Sequence, residues 1–169
     1  QLLNADGKNN LLDVKLENRP ESSRWYPGAG LYRNVHLIVT DKTHIPVWGT
    51  YVTTPHVEAA FASVRVKTEV EGVDTSKISI ENHVYDPQGR EVLVKKTSEC
   101  NPDGQPVDQN FVIDNPQLWS PETPNLYRLT KKKKKNGKQV DSYNTTFGIR
   151  SVEIIADKGF YLNGKLRKI

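Results

Sequence analysis

The stretch Asn115–Tyr127 reads NPQLWSPETPNLY and carries three prolines within nine residues. Each proline fixes φ and removes a backbone donor, so the stretch cannot form the interior of a helix. Four apolar or aromatic residues share this rigid segment: Leu118, Trp119, Leu126 and Tyr127. We predict a structural corner between two β-strands whose apolar side chains close one end of a β-sheet core. A catalytic role is disfavoured, because functional loops normally carry polar chemistry as well.

Short runs of alternating apolar and polar residues lie on both sides of this corner. The clearest run is residues 62–71, where Val64, Val66 and Val70 alternate with polar or charged residues. A period of two is the pattern of a half-buried β-strand. We predict strands over residues 47–54, 62–71, 77–85, 91–96, 109–114, 127–134 and 138–150, separated by turn sequences such as Asp86–Gly89, Asn101–Gly104 and Asn136–Gly137.

About seven strands in roughly 100 residues, with no convincing helical pattern, predict an all-β fold. The architecture that they fit is an immunoglobulin-like β-sandwich. Cys100 is the single cysteine of the chain, so the disulfide of immunoglobulin domains cannot form and the likeness is architectural. A small secreted domain held together by several disulfides is excluded for the same reason.

The first 43 residues contain two further alternating runs. One face is formed by Leu12, Val14 and Leu16 in the first run, and by Val35, Leu37 and Val39 in the second. We predict a strand in each run. Two strands alone are marginally stable in water, so this region is expected to be the tail of a larger sheet. The chain starts at Gln1 and has no methionine, and we therefore expect a segment of a longer protein.

The positive charge of the chain is concentrated in one place. The net charge is +4, and five of the 24 basic residues form the run Lys131–Lys135. Without that run the net charge is 4 − 5 = −1, which argues against a nucleic-acid-binding surface spread over the domain. Lysine suits a solvated edge strand, because it opposes aggregation while its stem covers apolar surface. We predict such an edge strand here, and a basic docking patch is the alternative.

Three stretches resemble glycoside hydrolase family 2, the family of β-galactosidases, β-glucuronidases and β-mannosidases. The corner at residues 115–127 resembles the LWSPE-x-P-x-LY segment of that family's immunoglobulin-like domain. Residues 22–35, SSRWYPGAGLYRNV, are similar to the SRWYPGSGIYRNV signature that closes the N-terminal jelly roll of many family 2 β-galactosidases. Residues 147–165 resemble FGIR-x-(V/I)-E … G-F-x-L-N-G-K, where the sandwich passes into a TIM barrel.

The resemblance implies three regions along the chain. Residues 1–43 correspond to the C-terminal part of a jelly-roll sugar-binding domain, residues 44–150 to the immunoglobulin-like sandwich, and residues 151–169 to the start of a TIM-barrel catalytic domain. The lysine run departs from the family, in which this strand alternates. The family's segment at 22–35 lies close to the active site, so the resemblance makes Asn18 and Arg24 candidates for substrate binding.

The resemblance also implies structural roles for a set of aromatic, apolar and basic residues: Trp25, Tyr26, Leu118, Trp119, Tyr127, Phe147 and Arg150. Alternatives stay open for the loop. Arg24 has a structural alternative, in which it stacks on an aromatic ring or pairs with a carboxylate. Trp25 either stacks on a sugar or packs against a neighbouring domain.

The chain offers no catalytic constellation of its own. Retaining glycosidases use two carboxylates about 5–5.5 Å apart, and the family carries both as glutamates on the barrel, beyond Ile169. The segment Glu81-Asn82-His83 reverses the family's Asn-Glu dipeptide and is interpreted as surface. The four histidines have no metal-ligand spacing. We therefore expect no metal, no cofactor and no catalysis from this chain by itself.

These observations favour a non-catalytic scaffold portion of a retaining family 2 glycosidase, best matched to a β-galactosidase acting on terminal β-glycosidic bonds. Its expected partners are a carbohydrate substrate, which the longer protein binds, and the adjoining jelly roll and barrel. The alternatives are a carbohydrate-binding module, a protein-interaction sandwich, and nucleic-acid binding through the lysine run, which requires salt-sensitive affinity. A membrane partner is not expected, because no apolar run approaches ~20 residues. The sugar, the oligomeric state and the compartment are left open.

Overall fold

The computed structural model describes residues 9–21, 30–72, 78–96, 106–135 and 137–168, and these residues contain strands but no helix. Within these ranges there is accordingly no helix with the length and apolarity that a membrane crossing requires. The chain divides into two compact units, residues 1–38 and 39–169. The strands are β1 (Thr50–Val57), β2 (Phe61–Thr68), β3 (Ile78–Tyr85), β4 (Glu91–Lys96), β5 (Val107–Asp114), β6 (Tyr127–Lys135), β7 (Lys138–Phe147), β8 (Val152–Ile155), β9 (Gly159–Leu162) and β10 (Lys165–Arg167).

The second unit is built around a two-layer β-sandwich. One sheet has the order β1-β2-β5 and the other has the order β4-β3-β6-β7, and all pairs are antiparallel. Both sheets contribute to one apolar core, formed by Ala62, Val64, Val66, Val84, Phe111, Ile113, Tyr127, Leu129, Phe147 and Ile149. The predicted all-β sandwich is confirmed, and its seven strands lie within three residues of their predicted bounds. The immunoglobulin-like assignment stays a prediction.

Alternation along β2 explains how this core forms. Val64 and Val66 are fully buried, whereas Arg65 between them faces the outside of the sheet. Val64 lies directly opposite Phe111 of β5, so the two strands present their apolar residues on the same face. On the outer face, Arg65 pairs with Asp108, with Nε 2.9 Å from Oδ1. The period of two thus separates an apolar inner face from an ion-paired outer face.

The C-terminal strands form a separate three-stranded sheet of order β10-β9-β8. Strands β9 and β10 are joined by Asn163 and Gly164, with φ of 50° and 71°. Positive φ at both central residues is typical of a type I′ hairpin turn, which Asn-Gly favours. Assignment of residues 151–169 to the start of a TIM barrel stays a prediction.

The two strands predicted within residues 1–43 are not present among the described residues of that region. Leu12 is 76% exposed and Leu37 is 78% exposed, so neither alternating run buries its apolar face. A period-two pattern becomes a strand only where a neighbouring strand pairs with its backbone and another layer covers its apolar side. The described part of residues 9–40 provides neither, and the two strand predictions are wrong for this structure.

The lysine-rich strand does not lie at a sheet edge. Strand β6 pairs with β3 on one side and with β7 on the other. Lys131 is 0% exposed and Lys133 is 1% exposed, so two of the five lysines point between the sheets. The edge-strand prediction is wrong, because the composition of a strand does not reveal how many neighbours it will have.

Candidate functional site

The proline corner ends at Tyr127, the first residue of β6, and the Tyr127 side chain contacts the start of the corner. The Tyr127 ring is buried and stacks on Phe147, with 5.6 Å between the ring centroids. Its hydroxyl oxygen accepts a hydrogen bond of 2.9 Å from the backbone N–H of Gln117. Burial raises the pKa of the phenol, so the hydroxyl keeps its proton at ordinary pH. A tyrosine that ties back to upstream backbone at this corner is a hallmark of immunoglobulin-type sandwiches.

Trp119 lies at the centre of the corner. Its backbone N–H donates to the carbonyl of Ile149 over 2.8 Å, and the Arg150 guanidinium lies 4.7 Å from the ring centroid. A Cβ at Gly148 would come within 2.8 Å of the Trp119 Cβ. The half-buried Trp119 therefore packs directly on the segment that follows β7, and it needs glycine at position 148.

Hydrogen bonds inside the corner hold its shape between the prolines. The N–H of Ser120 donates to the Thr123 carbonyl over 3.0 Å, and the Thr123 N–H donates to the Ser120 hydroxyl over 3.1 Å. The Asn125 side-chain amide donates to the Leu118 carbonyl over 3.1 Å. Leu118 packs at the margin of the apolar core, whereas Leu126 is exposed. Leu126 thus departs from the expectation that all four apolar residues of the corner close the core.

Asn163, in the β9–β10 turn, joins the C-terminal sheet to the corner. Its side-chain amide donates to the Trp119 carbonyl over 3.0 Å. Its side-chain oxygen accepts a 3.0 Å hydrogen bond from the Ser151 N–H, and its own N–H donates to the Ser151 carbonyl over 3.0 Å. One residue thus satisfies backbone groups on both the corner and the strand-connecting segment. Its positive φ is one that asparagine tolerates better than most residues.

A second link is the ion pair between Glu122 of the corner and Arg167 of β10. The two guanidinium nitrogens Nη1 and Nη2 lie 2.6 Å and 2.8 Å from the two carboxylate oxygens. This pairing lowers the pKa of Glu122 and holds it ionised. Between the corner and strands β9 and β10 lies a groove of about 610 Å³, lined in part by Leu118, Leu162, Leu166 and the ion pair.

The residues proposed for sugar binding, Asn18 and Arg24, stay predictions. Asn18 is exposed and belongs to the first compact unit. Arg24, Trp25 and Tyr26 lie outside the described residues, so their roles stay predictions. Asn163 and the Glu122–Arg167 pair were missed by sequence reasoning. The Asn-Gly turn signal at Asn163 was available, but it predicts a hairpin and gives no information on what the side chain contacts.

Glu81, Asn82 and His83 were interpreted as surface residues, and the structure corrects this. His83 is 7% exposed, and its two ring nitrogens lie 2.8 Å from Glu81 Oε1 and 2.7 Å from Glu91 Oε2. Lys134 Nζ lies 2.7 Å from the other oxygen of Glu81. The hydrogen bond from His83 lowers the pKa of Glu91. Glu81, His83, Glu91 and Lys134 form a network of polar contacts that ties β3 to β4 and β6. These side chains cover one another, so a segment with a polar sequence is buried.

The tryptophans bear on the carbohydrate-binding alternative. Trp48 is 89% exposed and sits in a turn with φ of 66°, whereas Trp119 is half-buried and committed to the corner. Trp25 lies outside the described ranges. In the part of the chain that the structure describes, no group of three or more His, Cys, Asp and Glu side chains is placed to hold a metal ion.

Comparison with known proteins decides the family. The profile described as "Glycosyl hydrolases family 2" matches residues 43–150, which contain the corner and all seven strands of the sandwich. The chain belongs to glycoside hydrolase family 2. The resemblance noted in the sequence is thereby confirmed.

Individual family 2 relatives match almost the whole chain. The β-galactosidase BoGH2A of Bacteroides ovatus is 39% identical over 165 residues, covering 95% of this chain and 19% of that protein. A β-glucuronidase of Formosa agariphila is 30% identical, covering 96% of this chain and 19% of that protein. The crystal structure of a β-glycosidase from Bacteroides vulgatus matches with a TM-score of 0.75 at 31% identity, over 86% of this chain and 18% of that one. The chain thus spans about a fifth of the length of these relatives.

Proposed function

We propose that this chain is a non-catalytic scaffold portion of a retaining family 2 glycosidase, which in the longer protein hydrolyses terminal β-glycosidic bonds. The relatives are named β-galactosidases and β-glucuronidases, and the chain matches about a fifth of each. The higher identity to the β-galactosidase of Bacteroides ovatus, 39% against 30%, favours a β-galactoside as the substrate of the longer protein. The catalytic carboxylates of that protein lie outside this chain.

The observation that carries the proposal is the pair of hydrogen bonds made by the backbone of Trp119. Its N–H donates to Ile149 at the end of the sandwich, and its carbonyl accepts from Asn163 of the C-terminal sheet. The corner therefore fixes the orientation of one sheet relative to the other within the second compact unit. By the family resemblance, the C-terminal sheet leads into the catalytic barrel. Fixed geometry matters there, because a displacement of 1 Å can cost about 10²-fold in rate.

Four carboxylates among the described residues do not have the electrostatics of a glycosidase general acid, which supports a non-catalytic role for these four. A general acid in a glycosidase needs a raised pKa, so that it is protonated when the leaving group departs. Glu122 and Glu91 have lowered pKa values, because Arg167 and His83 respectively donate hydrogen bonds to them. The pKa values of Asp86 and Asp108 are lowered as well. These groups are structural anions.

One observation supports the carbohydrate-binding module as a second candidate. Trp48 exposes its ring almost completely while its backbone holds a positive φ, which is unfavourable for a bulky residue. An exposed indole can stack on a sugar ring. Titration of the intrinsic fluorescence with galactose and with oligosaccharides tests this candidate, and a response that persists in Trp48→Ala would count against it.

The scaffold proposal is tested with nitrophenyl glycosides and two proteins. The first is this chain alone. The second is BoGH2A of Bacteroides ovatus in which the matching segment is replaced by this chain. We expect no hydrolysis by the chain alone and retained β-galactosidase activity in the chimera. We expect Asn163→Ala in the grafted segment to lower kcat/KM, and Glu153→Gln, on an exposed strand position, serves as the control. Hydrolysis by the chain alone would overturn the proposal. So would a folded chimera whose kcat/KM is unchanged by Asn163→Ala.

A further inference from the structure

A layer of polar side chains crosses the interior of the sandwich, between apolar residues on either side. Lys131, Asn82 and Thr68 are each 0% exposed. Gln109 is buried as well, and Thr50 is half-buried. Asn82 lies opposite Lys131 in the β3–β6 register, and Gln109 lies opposite the core residue Val66 in the β2–β5 register. We call Thr50, Thr68, Asn82, Gln109 and Lys131 the polar layer.

The polar layer surrounds the Lys131 amine with neutral groups. Lys131 Nζ donates to Thr50 Oγ1 over 2.9 Å and also to Thr68 Oγ1. Asn82 donates to Gln109, while Asn82 Oδ1 and Gln109 Nε2 are buried without a partner among the described residues. No carboxylate of the described chain pairs with Lys131. A buried ammonium group without a counter-ion is strongly disfavoured, whereas a neutral amine keeps both threonine hydrogen bonds.

The position of Lys131 in the sheet prevents its side chain from reaching water. Strand β6 is hydrogen-bonded on both sides, so it cannot rotate without losing two ladders. Its inward face is fixed by Leu129, a core residue two positions earlier. Snorkelling, by which surface lysines keep their charge in water, is therefore not available to Lys131.

The ionisable groups near the polar layer do not neutralise Lys131. On the same face of its sheet lie Lys133, the register partners Asp141 and Tyr143 on β7, and Lys95 on β4. Asp141 lies opposite Lys133 rather than opposite Lys131.

The facing sheet contributes Thr50 from β1, Thr68 from β2 and Gln109 from β5, and none of these side chains ionises. Among the described residues, the hydrogen-bond partners of the Lys131 amine are thus the uncharged Thr50 and Thr68.

We propose that folding of this sandwich is coupled to the release of one proton from Lys131, which makes the domain more stable at alkaline than at neutral pH. Desolvation lowers the pKa of Lys131 to about 7 in the folded chain, from 10.5 for the free side chain. Between these two values the unfolded chain carries a proton that the folded chain lacks. Stability therefore rises with pH across this window and levels off below about pH 7.

The size of the effect follows from linkage. Where the unfolded state binds one more proton than the folded state, the unfolding equilibrium constant falls about tenfold for each pH unit. The test is urea unfolding of the whole chain, followed by tryptophan fluorescence between about pH 7 and about pH 9. We compare wild type with Lys131→Met, which keeps the length of the side chain and removes the proton.

The wild-type unfolding constant should fall by roughly tenfold per pH unit relative to that of Lys131→Met. Lys132→Met, on the opposite face of the same strand, is the matched control and should follow the wild type. Equal pH dependence in wild type and Lys131→Met would overturn the proposal.

A second measurement covers the case in which Lys131→Met does not fold. The wild-type chain is labelled with ¹⁵N-lysine, and the side-chain nitrogens are titrated by NMR. We expect the Lys131 amine to titrate near pH 7. If the Lys131 amine keeps its proton throughout the range from about pH 7 to about pH 9, Lys131 is charged in the folded chain and the proposal fails.

Discussion

The side-chain amide nitrogen of Asn163 lies 3.0 Å from the backbone carbonyl oxygen of Trp119 and donates a hydrogen bond to it. The same side chain accepts a hydrogen bond from Ser151 N–H. Two segments that are distant in sequence are therefore held by a single amide. Because the two hydrogen bonds use the donor and the acceptor of the amide separately, each can be removed by a different substitution.

Asn163→Gly should destabilise the chain by about 1–3 kcal/mol, because it leaves the Trp119 carbonyl and the Ser151 N–H without their partner. Glycine accepts the positive φ at this position, so the loss reports the hydrogen bonds and not backbone strain. Urea unfolding measures the change. Asn163→Asp is the matched variant, because it keeps an acceptor for Ser151 and loses only the donor to Trp119. If Asn163→Gly were as stable as wild type, the amide would not be what holds the two segments together.

Gly148→Ala should destabilise the chain by roughly 1–3 kcal/mol through overpacking. The added methyl would come within 2.8 Å of Trp119 Cβ and 2.9 Å of Cγ, so Trp119 must shift. The near-ultraviolet circular dichroism of the indole should change along with the urea midpoint. Gly30→Ala is the control, because a Cβ there meets nothing within 4 Å. An unchanged midpoint in Gly148→Ala would show that the corner can move away from β7 without cost.

The sandwich could be predicted from sequence wherever alternation and turn chemistry agreed. In β2, inward Val64 and Val66 flank outward Arg65, and the turn Asp86–Gly89 forms with Gly89 at a φ of 82°. Both signals are local, because side-chain direction and turn φ are properties of a few consecutive residues. In β6, Lys131 lies on the same inward face as Leu129, which the composition of the lysine run did not predict.

The wrong predictions concern which residues pack against a given strand face. Those residues come from distant parts of the chain. Leu12 and Leu37 alternate correctly but pack against no second layer among the described residues. The sequence around His83 is typical of a surface position, but in the structure Glu81 and Glu91 enclose the His83 ring. Asn163 reads as a turn residue, and its contact with Trp119 joins positions 44 residues apart. A period of two gives the direction of a side chain and does not give its neighbours.

Tyr127→Phe should destabilise the chain by about 1–3 kcal/mol, because the half-buried N–H of Gln117 loses its acceptor. The ring would stay stacked on Phe147, so the apolar core is preserved and only the hydroxyl is tested. Urea unfolding gives the change, and amide hydrogen exchange at Gln117 should speed up. Tyr51→Phe, on an exposed ring, is the control and should leave both measurements unchanged. Slow exchange at Gln117 in Tyr127→Phe would mean that another group protects this N–H.

The Asp86 carboxylate should contribute to the free energy of unfolding of the sandwich, and this contribution should be lost in acid. Its carboxylate accepts hydrogen bonds from the N–H of Gln88 and of Arg90, each over 2.9 Å, and from Arg90 Nε over 2.7 Å. Desolvation raises the pKa of Asp86, but the hydrogen bonds and charge of Arg90 outweigh it, and the folded pKa lies below the ordinary value of 3.8. A depressed folded pKa contributes stability that is complete above the unfolded pKa and disappears as pH falls through the folded pKa.

Urea midpoints measured from neutral pH down to about pH 3 should therefore fall more steeply in wild type than in Asp86→Asn, since the amide cannot be protonated in this range. The variant should also be less stable at neutral pH, because an amide oxygen accepts hydrogen bonds more weakly than a carboxylate and has no charge to attract the Arg90 guanidinium. Glu58→Gln, at an exposed position outside the turn, is the matched control and should keep the wild-type acid slope. Parallel curves for wild type and Asp86→Asn would show that the turn is held by its backbone alone, with the carboxylate adding nothing that protonation can remove.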